Sequence, residues 1–182
     1  LYELEQVNAL VTEGYEINKA IDFESNILGD MNARSIKLRE LLLLFQEIRL
    51  TNATGQLIDV GDLYNQLLYI FAEEAGKKIN NVLTPTEVVS LITKLIDGDR
   101  KNACLCDPAS GSGTLLVEVG KKMGIRGTEL YGQEVNWNLY ALTKMNLMLN
   151  GFKGATFLWG DSLSNPKLLD HGGLRKFDIV VS

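Results

Sequence analysis

The sequence predicts an α/β fold in which about four parallel strands, covered by helices, follow an all-helical N-terminal domain. Three observations carry this. Apolar residues recur at helical spacing through the first half of the chain, short apolar runs alternate with helical segments from Ala103 onward, and a glycine-rich turn joins the first such run to the next helix. Parallel neighbours require crossover connections, so regular strand–helix alternation implies a parallel sheet. At 46% hydrophobic and 23% charged residues, the 182-residue chain has the apolar content of a globular protein.

Taken in order, the first elements are helices. Leu1, Leu4, Val7 and Val11 form one stripe; Ile36, Leu38, Leu41, Leu42, Phe45 and Ile48 form a second, and both read as core packing. Asp30 to Ser35 reads as a turn that ends in an N-cap serine, and Thr51 to Gly55 as a second break. The helical N-terminal domain is placed at residues 1–58, and the α/β domain at 59–182. A helix from Val60 to Ala75 carries Leu63, Leu67, Ile70 and Phe71 on one face and stops at Gly76. Thr84, Pro85 and Glu87 have the spacing of a capping box for a helix over Glu87 to Ile96, with Pro85 at its first position. Strands are predicted at Ala103–Cys106, Leu130–Gln133, Thr156–Trp159 and Phe177–Val181. Helices are predicted at Thr114–Met123 and at Trp137–Asn150, the latter carrying Leu139, Leu142, Met145 and Leu149.

Composition excludes several classes. The net charge of −5 argues against a chain that grips nucleic acid alone, because phosphate neutralisation supplies most nonspecific affinity. Cys104 and Cys106, two apart in an apolar run, would point together in a strand and read as buried thiols. The only histidine, His171, lies far off in a glycine-rich loop, so no metal site is expected. No apolar run reaches the roughly 18 residues of a membrane span, and the start lacks the pattern of a signal peptide. A cytoplasmic protein with no membrane partner is expected.

The sharpest motif is Asp107-Pro108-Ala109-Ser110-Gly111-Ser112-Gly113, between the first strand and the next helix. Glycines there let the backbone approach a ligand, and a helix N-terminus favours an acceptor group. Glu134 closes the second strand, where a carboxylate can accept the hydroxyl protons of a ribose. Together they mark a nucleoside-cofactor site. Gly113 is followed by Thr114-Leu115, not by the Lys-Ser or Lys-Thr of a phosphate-binding loop, which disfavours ATP. Leu115-Leu116-Val117 fills the place where a dinucleotide fold needs its third glycine. S-adenosylmethionine, which has no phosphates, fits better.

The order of motifs resembles the adenine-N6 DNA methyltransferases of gamma motif order, and specifically the modification (M) subunits of type I restriction-modification systems. The resemblance runs through Gly61-Asp62-Leu63-Tyr64, Phe71 to Lys78, Leu83-Thr84-Pro85, Asp107 to Gly113, Gly132-Gln133-Glu134-Val135-Asn136, Met145-Asn146-Leu147 and Gly160-Asp161-Ser162-Leu163. The run Ile79 to Leu83 departs from the family's glycine-rich stretch. The resemblance implies a Rossmann-like class I S-adenosylmethionine-dependent methyltransferase sheet, truncated here. It implies that Val82, Leu83, Thr84 and Pro85 border the methionine part of the cofactor, and that Asp107, Ala109, Gly111, Ser112, Gly113 and Thr114 enclose it. Glu134 would hold the ribose, Asp161 would accept from the adenine amino group, and the Ser162 backbone would reach the ring.

The family's catalytic tetrapeptide, Asn or Asp followed by Pro-Pro and an aromatic, belongs directly after Val181, where the chain shows Ser182 and ends. The natural protein is therefore expected to continue, and the fragment to bind cofactor weakly without transferring methyl. The resemblance implies DNA as substrate, with a specificity subunit and a restriction subunit as partners. The alternatives are a methyltransferase acting on RNA or protein glutamine, which the helical N-terminal segment disfavours, and a noncatalytic scaffold subunit.

Overall fold

A computed structural model describes residues 26–47, 59–74, 84–96 and 102–182. The expected Leu1–Val11 stripe, the break at Thr51–Gly55, the Gly76 stop, and Val82 and Leu83 lie outside the described residues. The chain divides into two units, Leu1–Asp59 and Val60–Ser182.

The first unit contains a short 3-10 turn, Asn26–Leu28, and helix α1, Met31–Glu47. Asp30 caps α1, its Oδ1 accepting the Ala33 N–H at 2.8 Å. The expected serine cap is corrected: Ser35 lies inside the helix, and its hydroxyl donates to the Met31 carbonyl at 2.8 Å. Both residue types cap helices, and the aspartate comes first. The reading of Ile36, Leu41 and Leu42 as core is also corrected, since all three are exposed. Four leucines in succession, Leu41 to Leu44, spread apolar side chains round the helix, so no single face collects them.

The second unit holds helices α2 (Val60–Glu74), α3 (Thr86–Leu95), α4 (Thr114–Met123) and α5 (Trp137–Leu149). Its strands are β1 (Leu105–Asp107), β2 (Leu130–Glu134), β3 (Thr156–Trp159), β4 (Leu169–Asp170), β5 (Gly173–Leu174) and β6 (Ile179–Val180). Strands β3-β2-β1-β6 form one parallel sheet in that order. The register sets Asp107 beside Gly132 and Glu134 beside Trp159, so the ends of β1, β2 and β3 lie at one edge. Leu105, Leu130, Phe157 and Ile179 of the sheet pack with Leu115, Leu116, Val119 and Leu147 of α4 and α5 into one core. All of β2 is buried, as expected for a central parallel strand.

Several sequence expectations change. The capping box does not form: Pro85 itself is the N-cap, at φ −55 and ψ 141, and no side chain caps α3. That extended backbone moves the helix start to Thr86, so Thr84 and Glu87 no longer flank it, and Glu87 takes the Thr86 hydroxyl instead. On α2, Leu67 and Ile70 of the expected buried stripe are exposed. On α5 the buried residues are Ala141, Thr143, Asn146 and Leu147, whereas Leu139, Leu142, Met145 and Leu149 are only half-buried. Cys104 precedes β1 and is half-buried, its thiol donating to Glu129; only Cys106 is buried. Between β3 and β6 lies an unexpected β4–β5 hairpin, whose two-residue turn has φ of 46 at His171 and 82 at Gly172. No helix of the described residues is long and apolar enough to cross a membrane.

Candidate cofactor site at the ends of the first three strands

The turn after β1 is held by two of its own side chains. Asp107 Oδ1 accepts the Ala109 N–H at 3.0 Å, and the Ser110 hydroxyl donates to the Asp107 carbonyl at 2.8 Å. Gly113 then caps α4 in the left-handed region, at φ 75. A residue with a side chain is strained there, which is the physical reason for a glycine at this position.

Glu134 meets this turn directly. One carboxylate oxygen accepts the Gly111 N–H at 2.8 Å and the other accepts the Asn136 N–H at 2.7 Å. The two residues on which the sequence reading depended are therefore in contact. Glu134 is buried, as is Asp107 at 2% exposure. Burial pushes the Asp107 carboxyl up to about 7, against the Ala109 N–H, and the nearby Glu134 charge adds to the rise. No described lysine or arginine forms an ion pair with either acid.

The turn after β3 closes the third side. The Gly160 N–H donates to the Glu134 carbonyl at 2.9 Å, and the Ser162 hydroxyl donates to the Pro108 carbonyl at 2.6 Å. Asp161 is exposed, and its carboxylate accepts from the Leu163 N–H and from the N–H and hydroxyl of Ser164. The Ser164 hydroxyl, followed by the two N–H groups, holds that carboxyl below its ordinary range. Of the expected residues, Asp107, Ala109, Gly111, Ser112, Gly113, Thr114, Glu134, Asp161 and Ser162 thus share one end of the sheet. Thr84 and Pro85 lead into α3, and no described hydrogen bond ties them to the turn. Thr86 and Thr114 nevertheless line one cavity of about 360 Å³ between α2, α3 and α4. The Thr84 carbonyl accepts the Tyr69 hydroxyl at 3.3 Å.

Sequence reasoning missed three fully buried residues around the site. Gln133 donates to the Asn165 carbonyl at 3.1 Å and accepts the Lys167 N–H at 2.9 Å, pinning the segment after β3. Thr143 donates to the Gly111 carbonyl at 2.7 Å, and Asn146 donates to the Ser112 carbonyl at 3.2 Å. The sequence signal for Thr143 and Asn146 was present but weak, polar residues on a helix that is otherwise mostly apolar, and that for Gln133 was a polar side chain in a wholly buried strand.

Comparison with known proteins places this arrangement. The chain is 32% identical over 170 residues to the type I restriction enzyme MpnII methylase subunit of Mycoplasma pneumoniae, covering 87% of this chain and 31% of that protein. It is 39% identical over 148 residues to the MjaVII methylase subunit of Methanocaldococcus jannaschii, covering 78% and 25%. The chain thus spans about a quarter to a third of the length of these relatives. The crystal structure of a type I restriction-modification methyltransferase subunit from Streptococcus thermophilus superposes with a TM-score of 0.68 at 23% identity, over 85% of this chain and 34% of that one. The shared fold is the Rossmann-like sheet of S-adenosylmethionine-dependent methyltransferases. Residues 57–182, which include the whole turn–acid junction, match the family described as N-6 DNA Methylase, and the chain belongs to that family.

Proposed function

We propose that residues 59–182 bind S-adenosylmethionine for methylation of adenine N6 in DNA, as part of the modification subunit of a type I restriction-modification system. The observation that carries this reading is the junction of Gly111 with Glu134 beside the buried Asp107. The Glu134 carboxylate, with the partly ionised Asp107 beside it and no described cationic partner for either, disfavours phosphates and favours a cationic nucleoside. The donor set suits such a group. A carboxylate has about four lone-pair sites, and the contacts to the Gly111 and Asn136 N–H groups leave Glu134 with acceptor capacity for a ribose diol. No described group donates to the second oxygen of Asp107.

Bound there, S-adenosylmethionine supplies the methyl group on a sulfonium leaving group. The chain's own residues bind and orient it: Glu134 takes the ribose, Asp107 and the 109–114 turn enclose the methionine end together with Thr84 and Pro85, and Asp161 and Ser162 meet the adenine. Positioning of this kind is a large part of catalysis by group transfer. The target base must leave the duplex to be reached. We assign residues 59–182 the cofactor-binding part of this reaction. The net charge of −5 supports DNA being held through partners, a specificity subunit and, in the full complex, a restriction subunit, in the cytoplasm.

Calorimetric titration of the chain tests the reading, with ATP and NAD as phosphate-bearing controls. S-adenosylmethionine binds and the controls do not, and Glu134→Gln weakens binding roughly ten- to a hundredfold, the range for a hydrogen bond to a charged group. A well-folded sample that releases no heat with S-adenosylmethionine, or that prefers ATP, overturns it.

A further inference from the structure

The N–H groups of the turn are largely taken within the protein, Ala109 by Asp107, Ser110 by the Gln133 carbonyl, Gly111 by Glu134 and Gly113 by the Ser110 carbonyl, and two of its carbonyls face α5. Buried carbonyls need donors. In this chain the Gly111 and Ser112 carbonyls point at α5, and each meets one side chain donor: Thr143 Oγ1 at 2.7 Å and Asn146 Nδ2 at 3.2 Å. Both donors are 0% exposed, so water does not replace them. The orientation of the Asn146 amide is itself fixed. Its Oδ1 accepts Asn150 Nδ2 at 2.7 Å, and Asn150 Nδ2 also reaches the Asn146 carbonyl at 2.9 Å, which leaves the Asn146 amino group for Ser112. Gly111 is consequently gripped on both sides, its N–H by Glu134 and its carbonyl by Thr143.

We infer that Thr143 and Asn146 are positioning residues of the cofactor turn, and that their hydrogen bonds, not their bulk, set the orientation of the Gly111 and Ser112 peptides. The consequence for S-adenosylmethionine affinity rests on the function proposed above; the effect on the turn does not. The two are separated by measuring both.

The test uses the ¹⁵N-labelled chain with Thr143→Val, Thr143→Ser and Asn146→Asp. Thr143→Val and Asn146→Asp remove a donor at nearly constant volume, whereas Thr143→Ser keeps it. In the ligand-free protein, the Gly111 and Gly113 amide signals shift and exchange faster in the first two variants and stay near wild type in the serine variant. The Tyr131 amide, in the sheet, reports that the fold is kept. The dissociation constant for S-adenosylmethionine, measured by calorimetry, rises roughly three- to tenfold in the first two and is recovered by serine, the range for one neutral hydrogen bond. Unchanged turn signals in folded Thr143→Val and Asn146→Asp overturn the inference, and so does a serine variant as impaired as the valine one. If Thr143→Val does not fold, the serine and aspartate variants decide by the same signals. A wild-type chain that binds no S-adenosylmethionine, with the turn signals of the valine and aspartate variants still shifted, removes the cofactor reading and leaves the positioning role standing.

Discussion

Replacing Gly113 by alanine tests the site's geometry at its tightest point. Gly113 has φ 75, and an alanine Cβ there would stand 2.4 Å from Thr143 Cγ2 and 3.2 Å from both Thr143 Cβ and Oγ1. Two costs add. The left-handed conformation costs an alanine roughly 1–2 kcal/mol, and forcing a methyl into a packed interior costs roughly 1–3 kcal/mol. Thr143 cannot simply turn away, because it is fully buried and its hydroxyl serves the Gly111 carbonyl at 2.7 Å. We therefore expect Gly113→Ala to lower the unfolding free energy by roughly 2–5 kcal/mol, read from urea unfolding followed by circular dichroism. The double variant Gly113→Ala/Thr143→Ser removes Cγ2 and keeps the hydroxyl, so it recovers the steric share and not the conformational one. Its coupling energy is expected at roughly 1–3 kcal/mol. A single variant within about 0.5 kcal/mol of wild type, which is the usual range for a neutral surface change, or strict additivity in the double variant, refutes the contact as drawn.

Two further outcomes follow from the same neighbourhood. Asp107 has its folded-state carboxyl near 7, above the ordinary 3.8, so the folded chain holds a proton across that window that the unfolded chain has lost. Stability then falls as pH rises from about 4 to 7, by an amount on the order of 4 kcal/mol; Asp107→Asn flattens this slope in unfolding measured at pH 5 and pH 8, and an unchanged slope shows that the group is not responsible. Gln133→Leu leaves the Asn165 carbonyl and the Lys167 N–H without their partner, so hydrogen exchange accelerates across residues 160–168 while the sheet stays protected; equal protection in that segment counts against its anchoring role.

How much of this was legible from the sequence depends on how far each cause lies along the chain. The four parallel strands, and helix α4 to the residue, were readable because their causes are local: apolar runs, a glycine turn, a left-handed cap at Gly113. The junction of Glu134 with the turn was readable because an acid at the end of the second strand has few other places to be. Where two local signals competed, the reading went wrong. Aspartate and serine are both helix-capping residue types, and Asp30 took the cap that Ser35 was assigned, as Pro85 took the one assigned to Thr84. Strands as short as Leu169–Asp170 and Gly173–Leu174 have no periodicity to detect.

The least legible part was the buried face of α5, and its failure is instructive. Hydrophobic periodicity assumes that whatever faces the core is apolar, which selected Leu139, Leu142, Met145 and Leu149. The helix instead buries Thr143 and Asn146, because it covers a turn whose carbonyls, 32 and 34 residues away in the chain, have no backbone partner of their own. A ligand-facing turn and a polar helix face are thus two sides of one constraint. Polar residues spaced three apart on the helix after the second strand are therefore a signature of the site, visible in the sequence once the turn's inward-facing carbonyls are counted as groups that must be satisfied.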